Sequence, residues 1–210
     1  TQLNPAVSVI LPILNEERDL QECISAILKQ DYAGDLEIIL ALGPSTDNTN
    51  QIAKSLAQSD SRIKLVENPT GKTAAALNLA IAAASNEIIC RIDGHSEISN
   101  SYIKTAVEIM NQTGAVNVGG LMQADAKYGF QSVVATAMRS KIGVGASKFH
   151  TGGEAGPADT VYLGTFKKSA ILQAGGFDEK YIRAQDWELN HRLRLNGGVI
   201  WFDPRLVVTY

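Results

Sequence analysis

The sequence predicts an α/β fold, a Rossmann-like α/β/α sandwich built on a mostly parallel central sheet. Two patterns predict it. Short apolar runs rich in Val and Ile alternate through the first half with segments whose apolar residues recur at helical spacing, the signature of βαβ units. After about Gln123 the alternation lapses, but no repeat, low-complexity tract or break in composition divides the 210 residues, so a single domain is expected.

The strands are expected at Val7 to Leu11, Leu36 to Leu42, Ile63 to Val66, Glu87 to Ile92 and Ala115 to Leu121. Between the first two, Asn15 is placed to cap a helix whose first turn holds Glu16 and Glu17 and whose inner face carries Leu20, Ile24, Ile27 and Leu28. Further helices follow from Ile52, Ala53 and Leu56, from Leu77, Ala80, Ile81 and Ala84, and from Ile103, Val107 and Met110. Phe130, Val133, Val134, Ala137 and Met138 suggest another helix, followed by a glycine-rich loop from Gly143 to Asp159 of a length that often serves function. The tail offers Leu163 to Phe166, a helix ending at Gly175-Gly176, a helix from about Asp186 to Asn196 stopped by Gly197, and strands near Val199 and Leu206.

A formal charge of −3 leaves no basic footprint for nucleic acid. Cys23 and Cys90 have neither metal-motif spacing nor a disulfide framework; both read as small core residues, and a reducing cytosol suits them. No segment approaches the roughly 18 consecutive apolar residues of a membrane span. The chain stops just after the apolar run Leu206-Val207-Val208, so a fragment of a longer protein is expected, cytoplasmic and lying at the inner face of a membrane if the missing part anchors it.

In open α/β sheets, ligands bind beyond the carboxyl ends of the strands where strand order reverses. Three segments occupy such ends: Pro12 to Glu16, Gly43 to Asp47, and Asp93-Gly94-His95. Asp93 offers a hard oxygen and His95 a borderline nitrogen, a pair able to hold one divalent cation whose shell phosphate and water complete, with Gly94 expected to let the backbone turn sharply. An ordinary capped turn explains the same triplet. Asp186 and Glu188 open a helix, where acids are favoured electrostatically; a general base is the functional alternative. His150 is a weaker candidate for closing onto phosphate or metal, and Arg183, Arg192 and Arg194 are either solvated helix charges or diphosphate partners. Gly71-Lys72-Thr73 imitates the end of a P-loop, but Val66 stands where its first glycine is needed, which removes an ATPase. The first strand is not followed by a glycine-rich fingerprint, which disfavours a dehydrogenase.

Taken in order, these segments resemble the family 2 glycosyltransferases of GT-A fold, over nearly the whole chain. Val7 to Pro12 with Asn15-Glu16, Ser45 to Thr49, Asn68-Pro69 with Gly71-Lys72 and Ala74 to Asn78, Gly175 to Asp178, and Asp186 carry the likeness. The resemblance implies that Pro12, Asn15, Glu16, Lys72 and Asp93 border a nucleotide. It also implies that Asp93 and His95 bind Mn2+ or Mg2+, that Asp186 deprotonates the acceptor hydroxyl, and that Gly164, Thr165, Gly176 and Phe177 lie near donor sugar or acceptor. Within that family the chain resembles the succinoglycan-type exopolysaccharide glycosyltransferases. The expected reaction is an inverting, metal-dependent transfer from a nucleotide-sugar, a UDP-sugar as first guess, to a lipid-linked or oligosaccharide acceptor. Leu42-Gly43-Pro44 replaces acidic residues that many relatives carry, which leaves the base open. A sugar-nucleotide nucleotidyltransferase would instead release pyrophosphate from a nucleoside triphosphate, and a silent binding module would hold donor without turnover.

Overall fold

A computed structural model describes residues 4–123 and 148–209. The helix expected around Phe130 to Met138 and the first residues of the glycine-rich loop lie outside the described residues. In chain order the elements are β1 (Val7–Ile13), α1 (Leu20–Leu28), β2 (Leu36–Leu42), α2 (Thr49–Ser59), β3 (Ile63–Glu67), α3 (Thr73–Ala83), β4 (Ile88–Arg91), β5 (Glu97–Ile98), α4 (Tyr102–Thr113) and β6 (Asn117–Gln123). Then come α5 (Lys148–Thr151), β7 (Gly156–Pro157), β8 (Tyr162–Lys167), α6 (Lys168–Gln173), α7 (Gln185–Leu195) and β9 (Ile200–Thr209).

One sheet runs in the order β3-β2-β1-β4-β8-β6-β9-β5, with β7 added on β9. Strands β1 to β4, β6 and β9 point one way, and β5, β7 and β8 the other. Alternation along β2 shows how the sequence builds three layers. Ile38, Leu40 and Leu42 face α1, α2 and α4, whereas Ile39 and Ala41 face α3, α6 and α7. Both faces are thereby covered, which is why β1, β2 and β4 read as largely apolar runs, interrupted by Ser8, Glu37 and Arg91. Chain order reverses between β1 and β4, so the ligand crevice of an open α/β sheet falls at their carboxyl ends.

Two expectations need correction. Asn15 does not cap α1, which starts at Leu20; Asn15 takes a left-handed φ of 54° and its Oδ1 accepts the Thr46 N–H at 2.8 Å, so Glu16 and Glu17 belong to the connecting turn. The strands expected near Val199 and Leu206 are one strand, β9, that continues through Pro204. Its register against β6 breaks between Gly119 and Leu121, and the break accommodates a proline that cannot donate to the ladder. Gly120 is needed there, since a Cβ would stand 1.9 Å from the Leu206 carbonyl oxygen.

At the opposite end of the sheet, Glu37 ties three strands together. Its carboxylate accepts from Ser8 (2.5 Å), Lys64 (2.5 Å) and both the amide and hydroxyl of Ser85 (2.9 Å each). Burial opposes its charge, but these donors prevail and hold the carboxyl down at about 2. A depressed carboxyl contributes stability above its unfolded pKa, and that contribution is lost as pH falls through the folded one. Glu37→Ala should therefore cost about 2–4 kcal/mol at pH 7, measured by urea unfolding. The cost should shrink as pH drops from 4.5 toward 2.

Candidate active site

The loops after β1, β2, β3 and β4 meet at the carboxyl edge of the sheet. The first two are cross-linked bond by bond. Asn15 N–H donates to Ser45 Oγ (3.0 Å), Glu16 N–H to Thr49 Oγ1 (2.7 Å), Glu17 N–H to Asp47 Oδ2 (3.3 Å), and Asn48 N–H returns to Glu17 Oε2 (2.9 Å). Asp47 also accepts from Thr49 N–H, and these donors lower its pKa. The side chain of Asn15 is thus spent on fixing the rim. The β3 loop joins through Gly71 (φ 66°), where a Cβ would lie 3.2 Å from Pro44, and it brings exposed Lys72 to the same rim as the first residue before α3. Pro12 lies within β1 opposite Ala41.

Across the switch point, the β4 loop presents Asp93-Gly94-His95. His95 Nδ1 lies 2.8 Å from Glu16 Oε1, and this bond is the main reason the imidazole pKa rises above its ordinary value. Gly94 is not in the left-handed region; glycine is required for space, because a Cβ would meet Ile13 Cδ1 at 2.8 Å and Glu16 Cγ at 3.1 Å. The expected sharp turn is present, closed by the Ser96 N–H donating to the Asp93 carbonyl at 2.9 Å. Cys23 lies beneath, its thiol pushed up to about 12 by burial and donating toward the Asp93 carbonyl at 3.5 Å.

The residue that organises the site is Arg91, which from the sequence is expected only to extend a strand. Its side chain is 6% exposed; Nε donates to Asp93 Oδ1 at 3.2 Å and Nη1 to Asp186 Oδ1 at 2.5 Å. Asp93 and Asp186, 93 positions apart in the chain, are therefore brought together on one guanidinium. The available signal was a charged residue ending an otherwise apolar strand two positions before Asp93. Burial works against the Arg91 charge, but the Asp186 and Asp93 carboxylates outweigh it and raise its pKa. Burial likewise pushes the Asp186 carboxyl up to about 6 despite the opposing pull of Arg91, and Asp93 adds to the rise.

Backbone and packing hold Asp186 in place. Ala184, just before α7, has φ 59° and Leu163 has φ 56°; with Asn15 these are the non-glycine residues of positive φ among those described, and all lie around this crevice. Leu163 and Gly164 (φ 100°) form a bulge opposite Gly119, which turns the Leu163 backbone toward the Asp186 carboxylate. One turn along α7, buried Asn190 accepts from Asn117 Nδ2 (2.7 Å) and donates to Thr160 Oγ1 (2.8 Å), anchoring the helix to the sheet.

Other candidates take structural places. Thr165 is fully buried in β8, and Phe177 is buried edge-on against Phe166 at 6.4 Å. Gly164 lies against Asn117 Oδ1, leaving no room for a Cβ. Gly176 (φ 78°) lies against Asn78, whose amide accepts Phe177 N–H (2.8 Å) and donates to the Phe177 carbonyl (2.9 Å). Arg192 pairs with Glu188 and donates to the Ala174 carbonyl, and Arg194 pairs with Asp159 at 3.0 Å. Those two arginines and Glu188 are accounted for within the α7 packing. His191 stacks on Trp187, and His150 sits on α5 beside Phe149.

Among the described residues no group of three or more His, Cys, Asp or Glu is arranged to hold a metal. Asp93 and His95 nevertheless fit one by donor chemistry. An oxygen and a nitrogen stand at one turn, the carboxylate is steadied through one oxygen by Arg91, and the imidazole is steadied through Nδ1 by Glu16, the outer support that metal ligands commonly have.

The family model described as glycosyl transferase family 2 matches residues 8–166. The chain is 32% identical to the succinoglycan biosynthesis protein ExoA of Rhizobium meliloti over 96% of its own length and 62% of that protein's. It is 27% identical to a dolichyl N-acetyl-alpha-D-glucosaminyl phosphate 3-beta-D-2,3-diacetamido-2,3-dideoxy-beta-D-glucuronosyltransferase of Methanococcus voltae, over 97% of this chain and 66% of that one. The chain thus spans just under two thirds of each relative. The mannosyltransferase PcManGT from Pyrobaculum calidifontis, solved with GDP-Man and Mn2+, superposes with a TM-score of 0.76 at 25% identity, over 99% of this chain and 57% of its own. S. aureus TarS, solved with UDP-GlcNAc, superposes with a TM-score of 0.76 at 19% identity, over 98% of this chain and 58% of its own, a likeness of fold. The fold is GT-A, and the chain belongs to glycosyl transferase family 2.

Proposed function

We propose that these residues form the catalytic domain of a longer, metal-dependent, inverting glycosyltransferase. It moves a sugar from a nucleotide-diphosphate donor, a UDP-sugar first, to a hydroxyl of a lipid-linked or oligosaccharide acceptor in polysaccharide synthesis. The observation that carries this reading is the convergence of Asp93 and Asp186 on Arg91 at the switch point of the sheet. ExoA and the GDP-Man and Mn2+ complex of PcManGT support the choice of process, donor class and metal.

In this mechanism the rim built by Asn15, Glu16 and Pro12 receives the nucleotide, and Lys72 offers a positive charge toward it. Asp93 and His95 would hold Mn2+ or Mg2+, which when bound supplies positive charge to the departing diphosphate. Asp186 accepts the proton of the attacking hydroxyl on the opposite side of the anomeric carbon. In-line attack then inverts that carbon. Gly164, Thr165, Gly176 and Phe177 shape the wall near the sugars through backbone and packing.

The test is a panel of nucleotide-sugars with and without Mn2+, read by melting temperature. A bound donor at about 100 times its Kd adds about 2.7 kcal/mol to stability. One nucleotide class should raise the melting temperature only with the metal. Stabilisation by nucleoside triphosphates with pyrophosphate release would contradict the transferase reading, and donor binding without transfer to any acceptor would make the protein a binding module.

A further inference from the structure

Arg91 is a buried cation to which the proposed chemistry gives no task. It ends β4, a central strand held by β1 on one side and β8 on the other, and its backbone pairs in register with Ile10. Removing such a cation from water is unfavourable unless its partners are well placed. Here the partners are the two acids on which the proposed reaction depends, Asp93 for its metal side and Asp186 for its base side.

We infer that Arg91 is a positioning residue that sets Asp93 and Asp186 in a fixed mutual relation, so that the metal side and the base side of the reaction are aligned by one guanidinium. The inference rests on the proposed function. Nε and Nη1 leave the planar group along different edges, and each meets Oδ1 of a different carboxylate. Each acid is thereby held through one oxygen, which restrains the rotation that presents the other. A lysine at this position keeps the charge but has a single flexible ammonium, which cannot hold two carboxylates along fixed directions. A simple counter-ion role would require the charge alone. Alignment requires the fork.

Arg91→Lys separates the two. UDP and GDP are titrated by calorimetry with EDTA and with Mn2+, and the ratio of the two affinities measures the metal's contribution. In the wild type Mn2+ should strengthen binding of one nucleotide. In Arg91→Lys the affinity in EDTA should stay within about twofold while the Mn2+ ratio falls about tenfold, the usual effect of losing an outer support of a metal ligand. If Arg91→Lys fails to fold, Asp186→Ala and Asp186→Asn give the same information. The amide can still accept from Nη1 and should keep the Mn2+ ratio, whereas alanine frees one arm of Arg91 and should lower it several-fold, about three to ten.

An unchanged ratio in Arg91→Lys overturns the inference and leaves the transferase reading standing. Where Arg91→Lys does not fold, equal ratios in the two Asp186 variants do the same. A wild type that gains nothing from Mn2+ removes the reading and the inference together.

Discussion

Asp186→Asn should lower the rate of sugar transfer by about 10²–10⁴, the usual worth of a general base, and leave nucleotide diphosphate affinity within about twofold. The substitution keeps the shape and the acceptor oxygen toward Arg91 and removes only the basic site. Burial has already raised the Asp186 carboxyl to about 6, so in the wild type it is ionised at neutral pH and more basic than an ordinary aspartate. Activity needs the deprotonated form. Transfer should thus be flat above pH 7 and fall about tenfold per unit below pH 6. A rate profile with no acid limb between pH 5 and 7, or an Asn variant that loses binding and turnover equally, would assign Asp186 to folding.

Asp93→Ala should have the second-largest effect, removing nearly all of the gain that Mn2+ gives to nucleotide binding, about 10–100-fold. It also strips Arg91 of one of two carboxylates. The stability loss from that should be about 1–3 kcal/mol, because Asp186 remains to pair the guanidinium. Asp93→Asn retains a hydrogen-bond acceptor for Arg91 and so separates the two consequences: it should recover most of the stability and little of the metal response. Calorimetric titration of UDP and GDP with and without Mn2+, run beside a urea melt, measures both. Metal-independent affinity that is the same in wild type and variant would place the cation elsewhere.

Much of the fold was legible because burial leaves a chemical trace. Strands covered on both faces are apolar at nearly every position, so β1, β2 and β4 announced themselves, and the glycines after α6 and α7 marked the helix ends. Strand-end residues such as Asp93 and Glu16 stood out by position, since ligands of an open α/β sheet bind beyond the carboxyl ends of its strands, although a capped turn accounts for the same residue types. Features set by contacts between distant residues left no local trace. The left-handed backbone of Asn15 exists because Thr46 and Ser45 reach it from another loop. The continuity of β9 through Pro204 depends on β6 supplying Gly120. The bulge at Leu163 and Gly164 depends on the register of β6 against β8. Arg91 is the clearest instance. Read along the chain it is one polar residue closing a strand, and only the fold brings Asp186 within 2.5 Å of it.

The central claim is that Asp93 and Asp186 serve one reaction centre from its two sides. A crystal of the protein soaked with Mn2+ and with UDP or GDP, measured at the manganese absorption edge, tests it most directly. The account predicts an anomalous peak ligated by Asp93 and His95, with the diphosphate against it and Asp186 facing the position of the transferred sugar. A peak away from Asp93, or a diphosphate lying on the far side of the sheet from Asp186, would contradict it.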